Sequence, residues 1–373
     1  MIQIFSNTLG VAELAAVERA FASRWLGKGC ECDAFEKEFL AYRGGVGEML
    51  LTNTCTSAIY IALRALGIGP GDEVIVPTIH FVAAANAVLD MGARVVFADV
   101  DPHTLNLLPG EITRLRTPKT KAVFLLHYGG HPADMDALHA EADGLLIIED
   151  AANAPASLYH GQACGTLGDV GVWSFDAMKI LVMIDGGALW LKDEESAKRA
   201  TMYRYLGLLP QTTSGVDAQK AGAGRWWQFD LGATSGRFIS NDVSAAIGRI
   251  QLQKLPGFIA RRKAIWEIYQ REFEYISSLL LLPPEPLPDC TSSYYLYWIQ
   301  TARRDELAAY LGERGIYTTF RYYPLHLVKF YESRAHLPNA EFVGLTTLCL
   351  PIHQNLTDDD VAHVVEAVRE FFE

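Results

Sequence analysis

The chain has 373 residues, 50% of them hydrophobic and 20% charged, which is enough to bury a large core and build one large domain plus a smaller one. A formal net charge of −12 with no run of lysines or arginines excludes a general affinity for nucleic acid or anionic membrane, so an anionic small ligand needs a local cationic site. Six cysteines (30, 32, 55, 164, 290, 349) form no CxxC pair, the opening MIQIFSNTLG has no basic or long apolar segment, and no uncharged apolar run reaches spanning length; a reduced, unexported cytoplasmic protein is expected.

In chain order, Val11, Leu14, Val17, Phe21 and Trp25 recur at helical spacing and predict an amphipathic helix, and Phe35 and Phe39 mark a second helical face. Between Met49 and Leu66, LLTNTCTSAIYIALRAL predicts a short strand or turn feeding a helix. EVIVP (73–77), a helix from about Phe81 to Met91 and RVVFADV (94–100) form a strand, helix and strand that imply a right-handed parallel crossover. KAVFLLHY (121–128), PADMDALHAEA (132–142) and LLIIED (145–150) repeat it, and a further strand runs from Asp169 to Phe175. The alternation predicts a doubly wound α/β sheet. Residues 207–236 read as a long loop and 242–276 as a helix broken at Pro256-Gly257, while LLLLPPEPLP (279–288) reads as a linker. A strand, helix and strand over 294–301, 304–315 and 317–323 follow, and Thr357 caps a last helix with Val361, Val364, Val365 and Val368 on one stripe.

The chemistry centres on residues 145–188. An apolar strand stops at Glu149-Asp150, delivering a carboxylate to the strand end where open α/β sheets place ligands. Lys179 lies among Met178, Ile180 and Leu181, just before Asp185-Gly186-Gly187. Desolvation lowers an ammonium pKa, so Lys179 reads either as a Schiff-base nucleophile or, more plainly, as a surface lysine after a strand. The turn before the helix at 55 offers a phosphate seat, or simply an N-cap by Thr54 or Thr56. His127 and His131 are spaced as metal ligands can be, but Gly129-Gly130 removes the helix that would align them and no third ligand stands nearby, so no metal is expected.

Three segments in order, EDAANA (149–154), WSFDAMK (173–179) and DGG (185–187), resemble the DegT/DnrJ/StrS-type sugar aminotransferases, and the likeness extends from about Phe5 to the end. The resemblance implies the pyridoxal-phosphate-dependent aspartate-aminotransferase fold (type I), with a mostly parallel seven-stranded sheet between helices in a large domain (1–256) and a smaller α/β domain (257–373), on which the N-terminal segment is free to pack. It implies pyridoxal 5′-phosphate as cofactor, held as a Schiff base by Lys179, with Asp150 on the pyridine nitrogen, Phe81 over the ring, Asn153 near the ring hydroxyl, and Cys55, Thr56 and Ser174 at the phosphate. Arg237 is implied to reach the neighbouring subunit's phosphate. Arg321, Tyr322 and His326 resemble a stretch near the substrate opening. Arg225 and Trp226 in the long loop suit either a sugar nucleotide or a subunit interface.

The implied function is transfer of an amino group from glutamate or glutamine to a nucleotide-linked keto-deoxysugar by a cytoplasmic homodimer with shared active sites. Dehydratases of the same family typically lack the lysine, so Lys179 argues against that branch. Three rivals are a pyridoxal-phosphate cyclase, racemase or lyase acting on an amino-acid-like substrate, a non-catalytic cofactor-binding sensor, and a nicotinamide oxidoreductase. The last lacks a GxGxxG turn after any predicted strand.

Overall fold

The structure, a computed structural model, describes residues 1–209 and 227–373. Its centre is a seven-stranded sheet of β1 (Glu48–Thr52), β2 (Glu73–Pro77), β3 (Arg94–Ala98), β4 (Thr120–Leu126), β5 (Leu146–Asp150), β8 (Val170–Ser174) and β9 (Gly187–Leu191) in the order β1-β9-β8-β5-β4-β2-β3. A short hairpin, β6 (Leu158–Tyr159) with β7 (Gln162–Ala163), interrupts the sequence between β5 and β8. β3, β2, β4, β5 and β8 run parallel, and β9 pairs antiparallel with both β8 and β1. Strands such as EVIVP, buried at every position, suit a sheet covered on both faces. Helices α1 (Val11–Ala22), α2 (Cys30–Tyr42), α3 (Cys55–Ala65), α4 (Val82–Asp90), α5 (Gly110–Leu115), α6 (Met135–Glu141) and α7 (Glu194–Arg204) accompany it. Phe35 and Phe39 on α2 pack edge-on to Phe175, and Phe39 to Trp173, which backs the chain leading into Lys179.

The helix predicted to break at Pro256 does not. α8 runs unbroken from Asp242 to Phe273 because Pro256 and Gly257 lie on its exposed side, where water can serve the carbonyl that proline leaves without a partner. Leu252 and Leu255 of α8 join the core under the sheet, whereas Ile265, Tyr269 and Phe273 join a second core with Tyr297, Leu348 and Val361. That core carries β10 (Tyr297–Gln300) paired antiparallel with β11 (Thr347–Leu350), and helices α9 (Arg304–Glu313), α10 (Pro338–Thr346) and α11 (Asp358–Phe372). The strand predicted at 317–323 is instead irregular, making one bridge from Thr319 to Cys349; the partner of β10 is the later segment TLCL.

α1 forms where the spacing places it but faces the other way. Val11, Leu14, Phe21 and Trp25 are exposed, while Glu13, Ala16 and Ala20 are buried against α8. Small alanines let the two helices approach, and the Glu13 carboxylate takes hydrogen bonds from Gln251 Nε2 (2.8 Å) and Lys254 Nζ (2.6 Å). Ahead of α1, the first residues lie on the second core: Ile2 bridges to Ile316, and the Gln3 carbonyl meets His353 Nε2 at 3.1 Å.

Candidate active site

The carboxyl ends of β1, β5 and β8 and the start of antiparallel β9 meet at one edge of the sheet. Gly187, which opens β9, is required there. A Cβ on it would stand 2.4 Å from the Cys55 nitrogen and 2.5 Å from the Thr54 carbonyl carbon, so only glycine lets the start of α3 lie against the strand. Thr54 is the N-cap, accepting the Ser57 N–H at 3.0 Å. That leaves Thr56 exposed, with the first-turn N–H groups directed outward.

A cavity of about 240 Å³ opens at this edge, lined among others by Cys55, Thr56, Phe81, Asp150, Ser174 and Lys179, with Arg321 and Tyr322 also in its wall. Phe81, 51% exposed, is not a core residue; it precedes α4 and its ring stands 5.9 Å from that of Tyr322. Asp150, buried, takes the Ala152 N–H on Oδ1 at 2.9 Å and has His80 Nε2 3.5 Å from Oδ2. Lys179 Nζ donates to Asn153 Oδ1 at 3.3 Å and sits 4.8 Å over the Tyr295 ring. Asn153 therefore reaches the lysine despite its short side chain.

Burial alone would lower the Lys179 pKa, as expected from its neighbours in sequence. The Asp150 carboxylate among its neighbours opposes burial, and the net direction is upward from the usual lysine range. Burial pushes the Cys55 thiol up and the Tyr322 hydroxyl up, so both are neutral.

Two of the substrate-side residues, Arg321 and Tyr322, line the cavity, and His326 does not. It is buried behind the cavity, with Nδ1 2.8 Å from Thr78 Oγ1 and Nε2 3.4 Å from Glu341 Oε1. Arg237 is exposed and lines a separate groove with Trp25, Lys28 and Arg204, away from the cavity of its own chain. Arg225 and Trp226 lie outside the described residues. His127 has a structural part. Nδ1 accepts the Ala133 N–H at 3.1 Å, so the ring proton sits on Nε2 and goes to Glu149 at 2.9 Å; Glu149 also takes the N–H groups of Gly165, Leu167 and Gly168.

Residues that sequence reasoning passed over stand next to Lys179 and Asp150. Tyr295 underlies Lys179, and its backbone carbonyl, with those of Tyr294 and Ile352, receives the wholly buried Arg262 guanidinium. Phe5 stacks on Tyr295 with 5.3 Å between centroids, and the Arg321 guanidinium lies 4.6 Å above Phe5. His80 was visible in HFVAAANAV but drew no notice beside Phe81.

Residues 7–369 match the model of the DegT/DnrJ/EryC1/StrS aminotransferase family. The chain is 45% identical, over all of its length and 97% of the other, to the dTDP-4-dehydro-2,3,6-trideoxy-D-glucose 4-aminotransferase of Saccharopolyspora spinosa. Among solved structures it resembles the aminotransferase TlmJ from Streptoalloteichus hindustanus, with 47% identity, TM-score 0.93, and 99% of this chain and 98% of that one covered. It also resembles DesV from S. venezuelae in complex with a ketimine intermediate, with 34% identity, TM-score 0.88, and 97% and 94% covered. With the match running nearly end to end, the chain belongs to the DegT/DnrJ/EryC1/StrS aminotransferase family.

Proposed function

We propose that this protein is a pyridoxal-phosphate-dependent aminotransferase that transfers an amino group from glutamate or glutamine to a nucleotide-linked keto-deoxysugar. The observation that carries the reading is Lys179 and Asp150 lining one cavity whose wall also includes the first turn of a helix. Three buried polar atoms beside that cavity have no hydrogen-bond partner among the described residues: His80 Nε2, Asn153 Nδ2 and Tyr295 hydroxyl. Each adjoins Asp150 or Lys179, so the polar groups fit a polar ring better than an apolar ligand.

Bound there, pyridoxal phosphate supplies an electron sink that lets an amino-acid Cα–H ionise. Lys179 would hold it covalently through Nζ and, once displaced by the amino donor, act as the base that moves a proton from the donor Cα. Asp150 would bind the pyridine nitrogen and keep it protonated, a charge-assisted bond of about 1.5–3 kcal/mol. Asn153 would orient the lysine and offer its free amide to the ring hydroxyl. Thr56, Ser174 and the first N–H groups of α3 would bind the phosphate. Phe81 would cover the ring, and Arg321 and Tyr322 would face the incoming substrates.

Arg237, exposed and outside its own chain's cavity, would reach the cofactor phosphate of a second subunit. The apolar stripe of Val11, Leu14, Phe21 and Trp25 supports a homodimer. No helix among the described residues is long and apolar enough to cross a membrane, and we assign the protein to the cytoplasm. The test is product analysis with glutamate and a dTDP-linked 4-keto-deoxysugar. An aminated nucleotide sugar with stoichiometric 2-oxoglutarate is expected, whereas turnover of the amino acid alone would favour a lyase or racemase.

A further inference from the structure

We infer that His80 is the positioning residue for Asp150, bearing a proton on both ring nitrogens and holding the carboxylate ionised and oriented. This rests on the reading of the cavity as a cofactor site. The imidazole is wholly buried at the turn between β2 and α4. Its Nδ1 lies 2.9 Å from the Phe81 carbonyl oxygen, which can only accept, so Nδ1 carries a hydrogen. If that were the ring's single proton, the bare lone pair of Nε2 would face Asp150 Oδ2 across 3.5 Å, two acceptors set against each other, with no hydrogen-bond partner for Nε2 among the described residues. A second proton, on Nε2, turns the repulsion into an ion pair.

The position of the pair gives it a purpose. Asp150 is 4% exposed, and among the described residues its carboxylate takes one hydrogen bond, from the Ala152 N–H. A carboxylate so placed needs a cation to remain charged, and Lys179, which lines the cavity with it, bonds Asn153 instead. The Phe124 ring meets His80 edge-on, 6.2 Å between centroids, and fixes its plane. With the imidazolium behind it, Asp150 stays an acceptor for the pyridine nitrogen. Because the same turn carries Phe81, the residue that covers the ring and the one that sets its acid partner move together.

Long-range proton–nitrogen NMR of the full chain labelled in its histidine rings tests this, with His80→Gln identifying the signal. In the protein with and without pyridoxal phosphate at neutral pH, both His80 nitrogens are expected to read as protonated. In Asp150→Asn, Nε2 is expected to lose its proton. A bare Nε2 in the unmutated protein overturns the inference. As a second readout, His80→Leu should lower kcat about tenfold, with His80→Gln, which keeps a neutral donor near Nε2, recovering part of the loss. Equal loss in both variants would reduce His80 to a packing residue and contradict the proposal. A protein that shows the doubly protonated ring yet binds no cofactor would refute the cofactor reading and leave the ion pair standing.

Discussion

Phe5 stacks on Tyr295, 5.3 Å between centroids and 17° from parallel, although the two residues come from opposite ends of the chain. Arg321 lies over Phe5, and Lys179 lies over Tyr295. The first residues of the protein thus pack against the ring that Lys179 lies over. Phe5→Ala removes an aromatic pair and a cation–π contact, together about 1–2 kcal/mol. Because Arg321 lines the cavity and is proposed to face the incoming substrates, we expect KM for the sugar to rise about tenfold with a smaller change in kcat. Steady-state kinetics check this, and an unchanged KM would detach Phe5 from substrate binding.

The seat at the start of α3 can be tested from two sides. Gly187→Ala places a methyl against backbone atoms of Thr54 and Cys55 that cannot swing away. It should cost about 2–4 kcal/mol of stability and weaken cofactor retention. Thr56→Val should leave the urea midpoint unchanged and weaken cofactor affinity several-fold. Fluorescence titration of cofactor-free protein separates the two, and full affinity in Thr56→Val would take the hydroxyl out of the site.

Glu13 ties α1 to α8 through Gln251 and Lys254; burial would raise its carboxyl, and those bonds outweigh it and hold the group below the usual range. Glu13→Ala should destabilise the fold by about 2 kcal/mol, since Lys254 is part-exposed and can turn to water. Urea denaturation measures this. No loss of stability would show that the alanine packing of α1 suffices alone.

Acid should act through two buried histidines. Burial pushes His131 down to about 4, and burial with the nearby Arg262 pushes His353 down to about 4. Both are neutral in the fold and take up a proton on unfolding once the pH falls below the ordinary histidine range near 6.5. Their contribution is therefore complete above about pH 6.5 and is lost as pH falls from there towards 4, steepening the stability curve by up to about two protons. Urea midpoints across that window check it. A midpoint flat from pH 6.5 to 5 would mean that these rings are already protonated in the fold.

The alternation of strands and helices, and the arrival of Asp150 and Ser174 at one sheet edge, were legible because buried parallel strands write themselves as short apolar runs. What periodicity cannot show is which stripe of a helix meets protein. The stripe of α1 was found, but Ala16 and Ala20, not Leu14 and Phe21, touch α8. The segment 317–323 has strand composition yet lends only Thr319 to a bridge, because TLCL already pairs with β10. Pro256 sits inside α8 because the break it threatens faces solvent. Neither Phe5 on Tyr295 nor His80 against Asp150 follows from local spacing, since each is a contact that only the folded topology creates.

The central claim is that Lys179 carries the cofactor. Borohydride reduction of the purified protein, followed by proteolysis and mass spectrometry, tests it directly, since reduction fixes a lysine-bound aldehyde in place. We expect the phosphopyridoxyl mass on the peptide containing Lys179, and its loss in Lys179→Ala. The same mass on a different lysine, or cofactor retained by the protein with Lys179 unmodified, would contradict the account.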